Sequence, residues 1–192
     1  MTTPKQTATA PAAIPVNVDN FIRAETDMYF ARTVADDAFG KLMHKREMAD
    51  VDKQDVVRMN RDTIYSSGVF DLEAAPLTVT LPDSGKRFMS MQVVSEYHYT
   101  TEVVYAPGRF NYTKEKVGTR YVFIIIRTLA NPENAEDLKA ANALQDQINV
   151  EQASTGNFEA PNWDSASRDK VREGLNLIAS QGLTSKPKFG RK

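Results

Sequence analysis

The chain is 192 residues long, enough for one domain of ordinary size with a hydrophobic core of its own. Apolar residues make up 41% and charged residues 26%, a balance that argues against wholesale disorder and against collagen-like or membrane-spanning designs. There is no cysteine, which excludes disulfides, thiolate nucleophiles and zinc–thiolate or iron–sulfur sites, and 24 Lys+Arg against 25 Asp+Glu leave a net charge of −1, too little to recruit nucleic acid or anionic lipid.

Residues 1–16 are mostly Thr, Ala, Pro and Gln and lack the apolar run of a secretory signal, so they read as a flexible arm. The expected compartment is cytoplasmic as the sequence stands, or periplasmic or secreted if a leader has been removed. The domain proper is expected over 17–183. Asn17 or Asp19 offers a cap, and Phe21, Ala24, Met28 and Ala31 follow at helical spacing, predicting a helix that ends before Gly40. From Lys41 to Asp62 charges of both signs crowd together, which reads as loop.

At Thr63 the apolar period changes from about 3.6 to about two residues. Ile64, Ser66, Gly68, Phe70 and Leu72 fall on one face of a strand, with Tyr65, Ser67, Val69 and Asp71 on the other. Leu77–Leu81 alternates, Pro82-Asp83-Ser84-Gly85 supplies a turn, and Arg87–Val94 is expected to return as the second strand of a hairpin. Short strands follow at 103–105 and 109–113. The strongest strand signal is 119–129, where the run from Tyr121 to Ile126 suggests burial on both faces; flanked by Arg120 and Arg127, it is far shorter than the ~20 residues that cross a bilayer as a helix. Asn131-Pro132 predicts the start of one helix, with Leu138, Ala141, Leu144 and Ile148 as its stripe. Asp164 predicts the cap of another, with Val171, Leu175 and Ile178 on one face and Gly182 as its stop. Residues 184–192 read as a basic tail or the start of a linker. The fold class expected is mostly β (α+β), a jelly-roll-like sandwich with one N-terminal and two C-terminal helices.

Chemistry-bearing residues gather in two places. Arg58, Asn60, Arg61 and Asp62 lie just before the first long strand, with Tyr65 inside it, and two arginines beside an asparagine suit the capture of a carboxylate or phosphate. The structural alternative is a loop fastened by Arg–Asp pairs and Asx turns. Further on, Tyr97-His98-Tyr99 follows Glu96, and strand alternation would set His98 opposite the two tyrosines. His98 as general base with Ser67 as nucleophile and Tyr99, Arg58 or Arg61 at an oxyanion would make a small-ester or amide hydrolase, although no Gly-x-Ser-x-Gly elbow is present. No metal site is expected: His44 and Glu47 stand three apart, but no His-Glu-x-x-His pattern exists. No nucleotide loop occurs, and no cofactor is called for.

Three stretches carry a resemblance: Val57-Arg58-Met59-Asn60-Arg61-Asp62-Thr63-Ile64-Tyr65-Ser66-Ser67, Gly85-Lys86-Arg87-Phe88-Met89-Ser90-Met91-Gln92-Val93, and Gly118-Thr119-Arg120-Tyr121-Val122. With Val18-Asp19-Asn20-Phe21-Ile22-Arg23-Ala24-Glu25, Ala143-Leu144-Gln145-Asp146 and Asn162-Trp163-Asp164, they make the chain from about Val16 onward similar to the domain of unknown function 1254 family. The resemblance implies a β-rich domain with peripheral helices. It also implies a homo-oligomer, a trimer first, or a second half similar to domain of unknown function 1214 as partner. It supplies no activity for any residue. The function expected is therefore a non-catalytic structural or ligand-binding β module with a small-molecule ligand, the alternatives being the hydrolase and an exported sugar- or lipid-binding protein. Neither nucleic acid nor membrane insertion is expected.

Overall fold

The computed structural model describes residues 12–50 and 60–182. Arg58 lies outside the described residues. The chain divides into two compact units, one formed by residues 26–160 and the other by 1–25 with 161–192. Helix α1 (Phe21–Ala35) belongs to both, its residues up to Glu25 to the terminal unit and those from Thr26 to the larger one.

The larger unit is built on two antiparallel sheets. One has five strands in the order β1 (Met43–His44), β2 (Thr63–Asp71), β7 (Tyr121–Leu129), β4 (Met89–Ser95) and β5 (Thr100–Tyr105). The other has three, β6 (Gly108–Tyr112), β3 (Leu77–Leu81) and β8 (Asn149–Gln152). The period-two pattern sends Phe70, Met91, Val93, Ile124 and Ile126 inward from the five-stranded sheet to meet Leu77, Val79, Leu81 and Tyr112 from the three-stranded one, all essentially without solvent contact. Burial of each such side chain is worth about 1.5–3 kcal/mol, so this layer is the main source of stability. The mostly β, α+β class read from the sequence is what the chain adopts, with four helices among the described residues.

Several expectations need correcting. The turn at 82–85 forms as expected, with Asp83 Oδ1 accepting from the Gly85 amide at 2.8 Å and Gly85 at a φ of 60°. The strands it joins do not pair, however. β3 pairs with β6 and β8, and β4 with β5 and β7, so the turn carries the chain from one sheet to the other. Alternation gives each strand one apolar face but names no partner for it. β7 is not buried on both faces: Val122, Ile124, Ile126 and Thr128 are buried, whereas Phe123, Ile125 and Arg127 on its other face are half-buried. Tyr97, His98 and Tyr99 are not in a strand. They form the turn between β4 and β5, where the His98 amide donates to Ser95 O (2.9 Å) and His98 takes the left-handed φ of 63° that usually selects glycine.

Helix α3 (Ala135–Gln145) begins after Asn134, not at Pro132. Asn134 Oδ1 accepts from the Glu136 and Asp137 amides, while Asn131 Oδ1 holds the Glu133 amide in a preceding turn. A single turn of helix, α2 (Lys114–Val117), had no apolar period to announce it; Thr113 caps it and Gly118, with a φ of 86°, closes it.

In the terminal unit, Ile14 and Trp163 form a parallel bridge, with the Ile14 amide donating to Asn162 O at 2.7 Å and the Asp164 amide to Ile14 O at 2.8 Å. Helix α4 (Ser165–Gly182) is capped by Asp164 as expected, its carboxylate accepting from the Ala166 and Ser167 amides. Glu25 is held by Arg168 and Arg172 from α4. Among the described residues no helix is long and apolar enough to cross a membrane.

Candidate functional site

The face of the five-stranded sheet turned away from the core carries the chemistry. Part of it is covered within the larger unit by α1: Phe30 stands with its ring centroid 5.6 Å from that of Phe123, and Val34 packs into the same cluster with Val69 and Tyr121. Beyond that cover the face opens into two clefts of about 600 and about 630 Å³. They share Lys45, Ser67, Phe123, Ile125 and Arg127, so they form one groove that crosses the sheet. Tyr29, Thr33, Val94 and His98 bound its first part; Asn60, Tyr65, Phe88, Val103 and Tyr105 bound the second. The floor is apolar because alternation on β7 leaves Phe123 and Ile125 pointing out of the core layer.

Arg127 is the polar centre of this groove. In the sheet it lies between Tyr65 of β2 and Ser90 of β4, and its guanidinium carbon sits 5.8 Å from the centroid of the Tyr65 ring. Its Nη1 donates to Gln92 Oε1 at 3.2 Å, and Gln92 Nε2 in turn donates to Thr100 Oγ1 at 2.8 Å. That second bond orients the amide, so that its oxygen faces the arginine. No carboxylate of the described residues lies within ion-pair distance of Arg127. The contrast with Arg120, seven residues earlier, is plain. Arg120 donates to Asp71 from Nε (3.2 Å) and Nη2 (2.9 Å) and pairs with Glu159 from Nη1 (3.2 Å). Burial works against the charge on Asp71, but the guanidinium and the Glu73 and Ala74 amides outweigh it and hold the carboxyl below its usual range.

The sequence candidates are partly gathered here. Tyr65, Ser67, Asn60 and His98 line the groove. Asn60 Oδ1 also accepts from the Asp62 amide at 2.8 Å, the Asx turn anticipated as the structural alternative. Arg61 and Asp62 are exposed beside the start of β2, and Tyr99 is exposed on the β4–β5 turn without lining either cleft. Ser67 and His98 share the first cleft but make no hydrogen bond to each other; His98 Nδ1 lies 3.2 Å from Thr26 Oγ1 instead. The residues that the sequence did not single out as a site are Arg127, Gln92 and Lys45. Arg127 was visible only as the polar end of an apolar run.

A serine–histidine contact does exist elsewhere. His44 Nδ1 and Ser66 Oγ are 2.7 Å apart, and buried Gln145 Nε2 donates to Ser66 Oγ (3.1 Å) and Tyr65 O (3.0 Å). Burial foremost, then Arg46, lowers the His44 pKa, so the ring is neutral where it shares its hydrogen bond with the Ser66 hydroxyl. Ser66 has no solvent exposure, so this network ties β1, β2 and α3 together and offers no nucleophile to a substrate. Among the described residues no three His, Asp or Glu side chains are grouped to hold a metal ion.

Residues 39–117 match the family model described as Protein of unknown function (DUF1254). Among solved structures the chain is similar to the VPA0106 protein from Vibrio parahaemolyticus, at 21% identity and a TM-score of 0.53. The match covers 76% of this chain and 39% of that one, so the chain spans about two fifths of that protein's length. At this identity the likeness shows a shared fold. No curated protein matches the sequence.

Proposed function

We propose that this chain, a member of the DUF1254 family through its residues 39–117, is a non-catalytic ligand-binding β module whose small-molecule ligand lies in the groove on the outer face of the five-stranded sheet. The observation that supports the reading is the groove itself. Each of its two parts is about 600 Å³, its floor is Phe123 and Ile125, and a few polar groups converge on it from three strands. Small-molecule sites are built this way, mostly apolar with few polar anchors. Binding is favoured over hydrolysis because Ser67 and His98 of the groove make no hydrogen bond to each other, whereas in the pair that does touch, His44 and Ser66, the serine has no solvent exposure. Assembly into a homo-oligomer, a trimer first, belongs to the same proposal and is read by sedimentation velocity; a monomer at every concentration refutes that part alone.

The experiment for binding is a thermal-shift screen over aromatic acids, fatty acids, sugars and neutral amphiphiles, followed by amide chemical-shift mapping of any hit. The expected result is stabilisation with shifts concentrated at Tyr65, Gln92, Ile125 and Arg127. Hits that map elsewhere, or no stabilisation by any class, refute the reading. Hydrolysis of a small chromogenic ester that is lost on Ser67→Ala and on His98→Ala would refute it in favour of the enzyme.

A further inference from the structure

Resting on that reading of the groove, we infer that its ligand is an amphipathic carboxylate: Arg127 receives the carboxylate, and the ligand's apolar body lies in the second cleft among Ile125, Val103, Phe88 and Tyr105. Four features argue for this chemistry. First, Arg127 is half-buried beside Phe123 and Ile125, and among the described residues no acid lies within ion-pair distance of it. Desolvating a cation without an opposite charge is unfavourable, and an arriving anion restores the balance. Arg46, Arg87 and Arg120, by contrast, pair with Asp146, Asp137 and Asp71 within the fold.

Second, the guanidinium is held ready. Gln92 takes one of its five donors, Thr100 holds Gln92, and the guanidinium carbon lies 5.8 Å from the centroid of the Tyr65 ring. A planar fork fixed in this way, with donors left over, matches the two oxygens of a carboxylate. Third, the second part of the groove is walled by exposed apolar side chains. Phe88 and Tyr105 meet edge to face at 5.9 Å, Tyr105 is 60% exposed and Val103 is 48% exposed. Large apolar side chains gathered beside one cation call for a ligand with one charged end and an apolar body. Fourth, the described residues lining the second cleft include two cations, Arg127 and Lys45, and no acid, whereas Arg32 and Asp36 line the first.

The probes are 4-phenylbutyrate and its neutral isostere 4-phenylbutanamide, titrated at pH 7.5 against the full chain with amide shifts and calorimetry as readouts. The acid is expected to bind at least about tenfold more tightly than the amide, with shifts at Arg127 and Ile125 for both. Arg127→Gln should bring the two affinities within about twofold, as loss of one charge-specific contact requires. Gln92→Glu is the second variant. It places a carboxylate of the protein's own where Gln92 Oε1 now lies, 3.2 Å from Arg127, and should abolish the preference for the acid with Arg127 intact. Equal binding of acid and amide to the wild type overturns the inference and leaves the groove as a site. Retention of the preference in Arg127→Gln also overturns it. Absence of any shift in the groove with either probe overturns both readings, as does a concentration-dependent self-association that occupies this face.

Discussion

Replacing Asp71 by Asn tests how the ends of the two central strands are fastened. Asp71 closes β2 opposite Tyr121 and is 1% exposed. Its carboxylate accepts from Arg120 Nε and Nη2 and from the Glu73 amide at 3.0 Å, while its backbone oxygen accepts from Gln152 Nε2 at 2.8 Å. Arg120 reaches on to Asn157 O at 3.2 Å, and the Tyr121 hydroxyl donates to the same oxygen at 2.7 Å, so the loop after β8 depends on this pair. Gly156 allows the approach: a Cβ there would stand 2.5 Å from Asp71 Oδ2. At a separation of ~3 Å and an effective dielectric constant of ~20, the pair attraction is about 5 kcal/mol before the cost of burying the carboxylate is subtracted. Asparagine keeps the shape and loses the charge. Arg120, whose side chain is 31% exposed, retains Glu159 and a longer contact to Glu73 at 3.5 Å. The loss is therefore at the lower end of that for breaking a buried pair, about 2–3 kcal/mol.

The assay is urea unfolding of Asp71→Asn, Arg120→Met and the double variant at pH 7, with a coupling of about 1–3 kcal/mol expected between the two sites. Because the folded carboxyl titrates below its usual range, its contribution is complete above the unfolded value of about 4 and fades as pH falls through the lower folded value. The gap between wild type and Asp71→Asn should narrow on acidification below about pH 4. A single-variant loss under ~0.5 kcal/mol, or a coupling indistinguishable from zero, would refute the assignment of this pair as a fastening.

Thr128 lies on the core face of β7 with no solvent exposure, and its hydroxyl has no hydrogen-bond partner; Thr128→Val should raise the unfolding free energy by about 1 kcal/mol, measured by chemical denaturation. At position 98, where φ is 63°, His98→Gly should be more stable than His98→Ala by about 1 kcal/mol, since glycine alone takes that conformation without strain. The same comparison in thermal unfolding exposes the cost of keeping a histidine on the rim of the groove. Asp137 receives Arg87 Nη1 at 2.9 Å and Nη2 at 2.5 Å, and the Asn131 amide at 2.7 Å. The guanidinium above all holds its carboxyl down at about 2, so Asp137→Asn should lower the melting temperature at neutral pH and lose that effect as pH falls from about 4 toward 2. His44 stays neutral as the pH falls below its ordinary pKa, so its imidazole resonances should titrate below those of a free histidine; a normal or raised midpoint would contradict the burial that sets it.

Where the sequence was legible, a local physical rule was strong. Leu77–Leu81 alternates over its full length, Thr63–Asp71 and Tyr121–Leu129 carry strong strand signals, and α4 has its Asp164 cap in plain view; α1 begins at Phe21, past the expected caps, because Asn17 instead holds the Asp19 and Asn20 amides in the preceding turn. Where it was not, the element exists through contacts with distant residues. β1 is two residues in a charged stretch, docked because Gly68 leaves room for Lys41 O, which a Cβ would approach to 2.2 Å. β8 has one apolar residue, Val150, and is held by its register on β3 and by Gln152 Nε2 donating to Asp71 O and Ala75 O. The start of α3 moved from Pro132 to Ala135 because Asn131 and Asn134 are equivalent as letters, and their order of use depends on Arg87 drawing Asp137 into place.

The site divides in the same way. Tyr65, Ser67, Asn60 and His98 could be named from the sequence because their residue types and strand positions suggest chemistry on their own. Arg127 could not be separated from Arg120, since both bracket one apolar strand and differ by nothing local. Period-two alternation, turn chemistry and capping determined the β-rich class and most of the elements, because each acts between residues a few positions apart. Which strands pair, which face of β7 meets the core, and which arginine finds an acid were decided by tertiary structure alone. Charge satisfaction and sheet order depend on residues brought together from across the chain, and Asp71 stands beside Arg120 while no described acid stands beside Arg127.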